Sequence, residues 1–170
     1  MKQKSFLIIG FICFIGISCS SSYKKKGITT FVYDNENVQT QAQKEQFDFL
    51  FREHEKRTTN EIALVTTPDY NGNDNLVLYA TEFINKNGIG KKETNNGVVI
   101  AFSKAFKTTA IATGYGTEEV LKDEMAKKII DSLMVPQFKD GRFFEGLLAG
   151  SKAVVDFLDK PQNKIVKKAK

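Results

Sequence analysis

Strand-like and helix-like segments alternate through the middle of the chain, and this alternation limits the possible folds more than any other feature. Glu61 to Thr67 predicts a buried strand, Leu76 to Asn87 places apolar side chains at helical spacing, and Gly97 to Ser103 predicts another strand. Helices that alternate with strands bury their apolar faces against a sheet. We therefore predict an α/β fold, a three-layer α/β/α sandwich on a small mixed central sheet.

Other segments extend the alternation on both sides. The patterns predict an extended segment over 28–33, a helix over 38–58, a strand over 107–113 that forms a hairpin with the strand before it, and a last helix over 142–158. Thr117 is the predicted N-cap of one further helix, which Pro136 is expected to end.

The first 18 residues have the pattern of a signal peptide. Lys2 and Lys4 precede an apolar run over 6–17, which is too short to span a bilayer stably. Cys19 follows this run and a small residue, as at a bacterial lipoprotein cleavage site. We expect Cys19 to be lipidated and the protein to be a membrane-anchored lipoprotein of the cell envelope, facing the periplasm or the exterior. Ordinary signal-peptidase cleavage, which would leave a free cysteine, is the alternative.

Charge is distributed unevenly over the predicted segments, which are a signal peptide (1–18), a tether (19–27), a domain (28–158) and a basic tail (159–170). The whole chain has a net charge of +5, but residues 27–158 hold 15 basic and 19 acidic side chains. A nucleic-acid-binding domain needs positive charge on its folded surface, so this class is excluded. The lysine-rich ends fit contact with anionic lipid or a solubilising role. We expect a monomer with an envelope protein as partner.

The scarcity of histidine and cysteine excludes other chemistry. One histidine and two cysteines are too few for a structural zinc site of the usual four ligands. A catalytic triad would depend on His54 alone. His54 lies near Phe47 and Phe51 at helical spacing, which predicts the polar rim of a helix face; a ligand or catalytic role is the other interpretation.

Gly114 and Gly116 lie between a predicted strand and the helix that follows it. Two glycines allow backbone conformations that are closed to other residues and expose amide groups at the start of a helix. The segment could bind an anion, or it could be a tight turn.

Acidic side chains form two candidate cation sites. Asp123 lies beside the apolar stripe of its predicted helix, with Glu119 one turn earlier, so the pair needs either Lys127 or a divalent cation as a partner. The segment from Asp69 to Asp74 is rich in oxygen ligands like a calcium loop, but it lacks the closing glutamate of an EF-hand, and Asp74 could be a helix N-cap.

Several short motifs follow one another over residues 28–158. They are Val32-Tyr33-Asp34, Ala80-Thr81-Glu82-Phe83, Gly88-Ile89-Gly90-Lys91-Lys92, Asn96-Gly97-Val98-Val99, Gly114-Tyr115-Gly116-Thr117-Glu118, Leu121-Lys122-Asp123, Pro136-Gln137-Phe138 and Gly141-Arg142-Phe143-Phe144-Glu145-Gly146. In this order and at these spacings the motifs resemble the TPM domain family, which is named for a thylakoid-lumen protein, a photosystem repair protein and a nematode receptor modulator.

The resemblance implies an α/β/α sandwich outside the cytoplasm that binds calcium or a similar divalent ion such as magnesium. It also implies a role as an accessory, assembly or repair module for membrane complexes, or the acid phosphatase activity described for some plant members. Asp34, Asn96, Glu118 and Asp123 match the family's polar positions, and we expect them to meet where loops converge at one end of the sheet.

Two positions depart from the family pattern. Ala110 stands where members often carry an arginine, and Asn87 where they often carry an aromatic residue. The missing arginine weakens the phosphatase interpretation. Three hypotheses follow: a lipid-anchored cation-binding module, a metal-assisted phosphatase with an aspartate such as Asp34 or Asp123 as nucleophile or base, and a structural envelope factor whose acidic groups only cap and pair.

Overall fold

The computed structural model describes residues 30–166. The predicted signal peptide, the predicted tether and Cys19 lie outside this range. The strands are β1 (Val32–Asp34), β2 (Glu61–Thr66), β3 (Gly97–Ser103) and β4 (Thr108–Thr113). The α-helices are α1 (Gln41–Thr58), α2 (Leu76–Asn87), α3 (Tyr115–Glu118), α4 (Asp123–Ile129), α5 (Val135–Lys139) and α6 (Phe143–Leu158), and they are joined by a π-helical segment (Ile130–Met134) and followed by a 3₁₀ turn (Pro161–Asn163).

The four strands form one mixed sheet in the order β1-β2-β3-β4. The first three strands are parallel, and β4 pairs antiparallel with β3 in the predicted hairpin. Helices cover both faces, which confirms the three-layer α/β/α sandwich.

Alternate side chains of the strands enter two separate cores. In β3, Val98, Ile100 and Phe102 pack towards α1 and α6, whereas Val99 and Ala101 pack towards α2. This is the period of two expected for a strand that is buried on both faces. On the α2 side the sheet contributes mostly small residues, which leave room for the helix close to the strands; they are Ala63, Ala101, Ala110 and Ala112.

The two parallel connections cross opposite faces of the sheet. The chain moves in the same direction from β1 to β2 and from β2 to β3, yet α1 belongs to one core and α2 to the other. Two such crossovers have opposite hands, so one of them is left-handed, an arrangement found in about 2% of parallel connections. Local sequence patterns do not encode the hand of a crossover.

The predicted helix from Thr117 to Pro136 is a set of shorter pieces. Thr117 is a buried residue inside α3 rather than an N-cap, and the chain turns between α3 and α4 so that Leu121 can enter the core. Pro136 does not end the helical path, because it lies in the first turn of α5, where its missing N–H is tolerated.

His54 is fully buried and is not on the rim of a helix face. Its Nδ1 lies 2.8 Å from Oδ1 of Asp159, whose other oxygen accepts a 2.7 Å hydrogen bond from Arg57. Burial lowers the pKa of His54, although the Asp159 carboxylate acts in the opposite direction. Burial alone would raise the pKa of Asp159, but the hydrogen bonds from Arg57 and His54 outweigh it and lower that pKa.

This buried histidine predicts a pH dependence of stability. Because the folded-state pKa lies below the ordinary value near 6.5, the unfolded chain binds the proton more readily, and the free energy of unfolding falls as the pH drops through about 6.5. Asp159 does not add to this loss of stability near pH 6.5, since a lowered carboxyl pKa affects the free energy of unfolding only near or below about pH 4. Urea unfolding at about pH 7.5 and about pH 5.5 should show a larger loss for the wild type than for His54→Gln. Equal losses would contradict this role of His54.

Within residues 30–166, no helix combines the length and the apolar character that crossing a bilayer requires.

Candidate functional site

The structure separates the predicted site residues between the two ends of the sheet. Asp34 pairs in register with Thr66 at the carboxyl ends of the parallel strands, whereas Glu61 pairs with Gly97 at the amino ends. Five residues of extended strand separate these levels, which is roughly 17 Å. The expectation that all four family positions meet at one end is therefore wrong for Asp34, because Asp34 ends its strand and Asn96 precedes its own.

Asp34 stabilises the turn that leads into α1. Its Oδ1 accepts hydrogen bonds from the Val38 amide (3.1 Å) and the Thr66 hydroxyl (2.7 Å), and its Oδ2 accepts one from the Gln39 amide (3.1 Å). Both carboxylate oxygens thus have protein donors. A cation at Asp34 would have to compete with these bonds.

Asp69 and Asp74 also belong to the carboxyl end of the sheet, on the exposed loop between β2 and α2. Asp69 Oδ1 accepts a 2.7 Å hydrogen bond from the Asn71 amide, as in a local turn. The N-cap of α2 is Asn75, whose side chain accepts from the Leu78 amide, so Asp74 does not cap the helix.

Asn96 holds together the loops at the opposite end. Its buried side chain accepts a 2.8 Å hydrogen bond from the Lys91 amide and donates to Asn60 Oδ1 and to the Thr59 carbonyl, both at 3.0 Å. The side chain is fully buried, and both its oxygen and its nitrogen bond to protein groups. Asn96 therefore positions the site, and its side chain does not point a free oxygen at a ligand.

The two glycines of the β4–α3 turn are required by close backbone approach. A Cβ on Gly114 would lie 2.4 Å from the carbonyl oxygen of Asn95, and one on Gly116 would lie 1.8 Å from that of Thr94. The amides of both glycines donate to carbonyl oxygens, of Gly97 (2.8 Å) and Asn95 (3.1 Å) respectively. These two amides are therefore not available to bind an anion, and the tight-turn interpretation accounts for both glycines.

A cleft of about 430 Å³ lies beside this turn, between α2 on one side and α3 and α4 on the other. Glu118 and Asp123 both line it, together with Thr113, Asn95 and the exposed ring of Tyr115. Neither the Glu118 nor the Asp123 carboxylate forms a hydrogen bond or an ion pair with any residue in the range 30–166. The cleft thus brings together two of the predicted site residues, neither of them in an ion pair within that range, and Lys91 and Lys92 also line it.

Glu119 and Asp123 are not one turn apart on a single helix, because α3 ends at Glu118 and α4 begins at Asp123. Glu119 lines a neighbouring cleft that shares Asn95 and Tyr115 with the first. Lys127 is not the partner of Asp123 either, since its Nζ lies 2.6 Å from Asp131.

A partly buried ion triad borders the cleft through Lys91. Lys91 Nζ lies 2.6 Å from Glu55 Oε1 and 2.5 Å from Glu61 Oε1, and Glu61 Oε2 accepts a 2.6 Å hydrogen bond from the Gly90 amide. Burial opposes the charge on Lys91, but the hydrogen bonds to both glutamates outweigh it and raise the pKa of Lys91. Lys91 is therefore committed to structure, although it lines the cleft.

Carboxylates could supply only some of the oxygen ligands that a hard cation would need in this cleft. Within the described range, no three Asp, Glu, His or Cys side chains are grouped so that they could hold a metal ion. A cation here would need Glu118 and Asp123 plus neutral oxygens, such as the Asn95 amide, the Thr113 hydroxyl, backbone carbonyls and water. Calcium accepts such mixed oxygen sets.

Sequence reasoning missed the triad and the roles of Asn95 and Tyr115. Glu61 opens a strand that otherwise reads as apolar, and a charged residue in a buried strand is a usable signal for a buried partner. Nothing in the sequence identifies Lys91 as that partner.

The fold and the cleft define a three-layer α/β/α sandwich with an oxygen-lined cleft at the amino ends of its parallel strands. A family model described as the TPM domain matches residues 32–157. The chain belongs to the TPM domain family.

Solved structures support this assignment. The N-terminal domain of a protein from P. gingivalis is 28% identical, with a TM-score of 0.72 over 83% of this chain and 89% of that chain. The BA42 protein from Bizionia argentinensis is 22% identical, with a TM-score of 0.62 over 79% and 98% of the two chains. The N-terminal domain of the cg2496 protein from Corynebacterium glutamicum is 12% identical, with a TM-score of 0.59 over 76% and 80%. The last two show the fold alone. No curated protein matches the chain significantly.

Proposed function

We propose that the protein is a lipid-anchored TPM domain of the cell envelope that binds a divalent cation, calcium or magnesium, in the cleft between α2 and α4. The observation that carries the proposal is that two carboxylates without an ion pair in the described range, those of Glu118 and Asp123, line one cleft. Like charges that share a cleft repel each other, and a cation bound between them would relieve this repulsion.

The local structure fits a hard cation. Glu118 and Asp123 supply charged oxygens, and Asn95 and Thr113 offer neutral ones on the adjoining loop and strand. When bound, the cation would join the loop that holds Asn95 to the segment that holds Asp123. A ligand that joins two segments orders the surface around them and lowers the entropy cost of docking a partner there, outside the cleft itself, so the cation would gate an interaction.

The envelope location rests on the sequence. The apolar run over 6–17 and Cys19 support a lipid anchor, and the basic residues of 24–26 would then lie near the membrane surface. The partner we propose is an envelope protein that the domain helps to assemble or repair. We expect Cys19→Ser to move the protein from the membrane fraction to the soluble fraction of fractionated cells. Unchanged fractionation would contradict the lipid anchor.

The cation site is tested by thermal melts in EDTA and in excess calcium. A ligand that binds only the folded state raises the melting temperature, and at a hundredfold excess over its Kd it adds about 2.7 kcal/mol of stability. We expect a shift in the wild type and none in Asp123→Asn. Glu124→Gln is the matched control, since Glu124 is the next residue of α4, is exposed and does not line the cleft. Equal shifts in the wild type and Asp123→Asn would place the cation elsewhere. No shift in either protein would mean that no cation binds.

The alternative of a metal-assisted phosphatase gains no further support. Ala110 stands at the position of the family arginine, is buried against α2 and carries no charge that could bind a phosphate. His54 lies inside the interface of α1 and α6, away from the cleft.

A further inference from the structure

The outer side of β4 is a free sheet edge. In the sheet order β4 stands last, and no strand of the described chain pairs with its outer side. The Gly114 amide donates to the Gly97 carbonyl, so these two residues form a bonded pair. Bonded and non-bonded pairs alternate in an antiparallel ladder, so Thr109, Ile111 and Thr113 direct their backbone N–H and C=O groups outward.

A second hydrogen bond supports this alternation. The Thr67 amide of the β2 side donates to the Phe102 carbonyl at 3.0 Å. The backbone carbonyl of Phe102 therefore points towards β2. The backbone groups of its register partner, Thr109, then point outward from β4. Three successive outward residues present a row of donors and acceptors that another extended chain can pair with.

The cleft of about 430 Å³ runs along this edge. Ile111 and Thr113 line it, and no residue of β3 does. Val77 and Thr81 of α2 form one wall, and the other wall contains the carboxylates of Glu118 and Asp123. The space is therefore a trough with a strand edge as its floor, and its volume lies in the range of ordinary ligand sites.

We propose that the cleft binds an extended peptide segment of a partner protein, which adds a strand to the β4 edge. Main-chain hydrogen bonds to Thr109, Ile111 and Thr113 supply the pairing, and alternate side chains enter the trough. The segment runs antiparallel to β4, the commoner and slightly more stable pairing. Its amino-terminal part carries lysine or arginine, because that part lies near Glu118 and Asp123.

The charges and the walls of the cleft decide the kind of occupant. Among the described residues, Glu118 and Asp123 form no ion pair and outnumber Lys92, the unpaired lysine in the cleft lining, whereas Lys91 is neutralised by Glu55 and Glu61, so the net charge of this end of the trough favours a basic segment. Because α2 forms a wall of the cleft beside the edge, the proposed occupant is a single bare strand. A second copy that paired through its own β4 would bring its own α2 to the same place.

This inference goes beyond the cation site, because backbone pairing needs no metal. The two ligands share Glu118 and Asp123, so calcium is expected to weaken the binding of a basic peptide. Measuring peptide binding in EDTA and again in calcium separates the two proposals. If the cation does not bind, the peptide still binds in EDTA, and calcium then has no effect on it.

The test uses the purified full chain and a probe peptide, acetyl-Lys-Lys-Val-Thr-Val-Thr, labelled at its carboxyl end and followed by fluorescence anisotropy. We expect saturable binding at or below about 1 mM. N-methylation of the alternate peptide residues that pair with β4 should weaken binding at least about tenfold, whereas methylation of the others should not. The double variant of Glu118→Gln with Asp123→Asn should weaken binding roughly threefold to tenfold, and Glu124→Gln should leave it unchanged.

Three results would overturn the proposal. The first is the absence of binding at about 1 mM peptide in EDTA. The second is binding that N-methylation at the pairing positions does not change. The third is a dimer of the full chain, seen by sedimentation, that Thr113→Pro dissociates. Thr113 is only partly buried and belongs to neither core, and the substitution removes an outward N–H and no bond to β3, so such a dimer would place a second copy on the edge.

Discussion

Gly116→Ala should lower the free energy of unfolding by about 2–3 kcal/mol, the upper part of the usual cost of forcing extra volume into a packed site. The added Cβ would lie 1.8 Å from the carbonyl oxygen of Thr94, a backbone atom that a side-chain rotation cannot remove. Alanine normally stabilises a helical position relative to glycine by about 0.5–1 kcal/mol, but here the clash is larger. The loop over 91–96 must therefore move away from α3. Urea unfolding measures the effect.

Tyr115→Ala is the matched control for Gly116→Ala. The Tyr115 side chain is 82% exposed, so its removal should change the free energy of unfolding by less than about 0.5 kcal/mol. If both variants are as stable as the wild type, the close packing of the loop on α3 is not a feature of the protein in solution.

Lys91→Met should lower the free energy of unfolding by about 3 kcal/mol. The substitution leaves Glu61, whose side chain is 5% exposed, without its cation, and such an unpaired buried charge typically costs about 3–5 kcal/mol. We expect the lower end because the Lys91 side chain is 36% exposed and water can partly replace its charge. Calorimetric or urea unfolding at neutral pH measures the loss.

Two further variants distinguish this electrostatic cause from a loss of packing. Lys92→Met is the matched control, since Lys92 is the next residue and is exposed. This substitution should change the free energy of unfolding by less than about 0.5 kcal/mol. Adding Glu61→Gln to Lys91→Met should recover part of the stability, because glutamine is neutral and can still accept from the Gly90 amide. A double variant that is less stable than Lys91→Met would contradict the proposed cause.

The elements that a single sequence segment defines were predictable. The bounds of α2 and β3 agree with the sequence, because the apolar side chains of α2 repeat at helical spacing and those of β3 form an unbroken run between turn residues. The three-layer class follows from the alternation of such segments. The break between α3 and α4 was missed because the polar and apolar spacing continues across it, whereas the burial of Leu121 redirects the chain.

The candidate site was only partly predictable because it depends on the order and register of the strands in the sheet. Glu118 and Asp123 line one cleft, since one short segment carries both. Asp34 lies at the other end of the sheet, and its place follows from the strand register rather than from its motif. The free edge of β4 follows from the strand order, in which β3 pairs with β2 on one side and with β4 on the other, and no local pattern encodes this order.

A terbium titration tests the cation site most directly, because Tb³⁺ replaces Ca²⁺ at oxygen sites and emits strongly when a nearby tyrosine transfers its excitation energy. Tyr115 lines the cleft with Glu118 and Asp123. We predict tyrosine-sensitised emission that calcium displaces, that Tyr115→Phe abolishes without removing the calcium-dependent rise in melting temperature, and that Asp123→Asn greatly weakens. No sensitised emission, or emission that persists unchanged in both variants, would contradict a cation between Glu118 and Asp123.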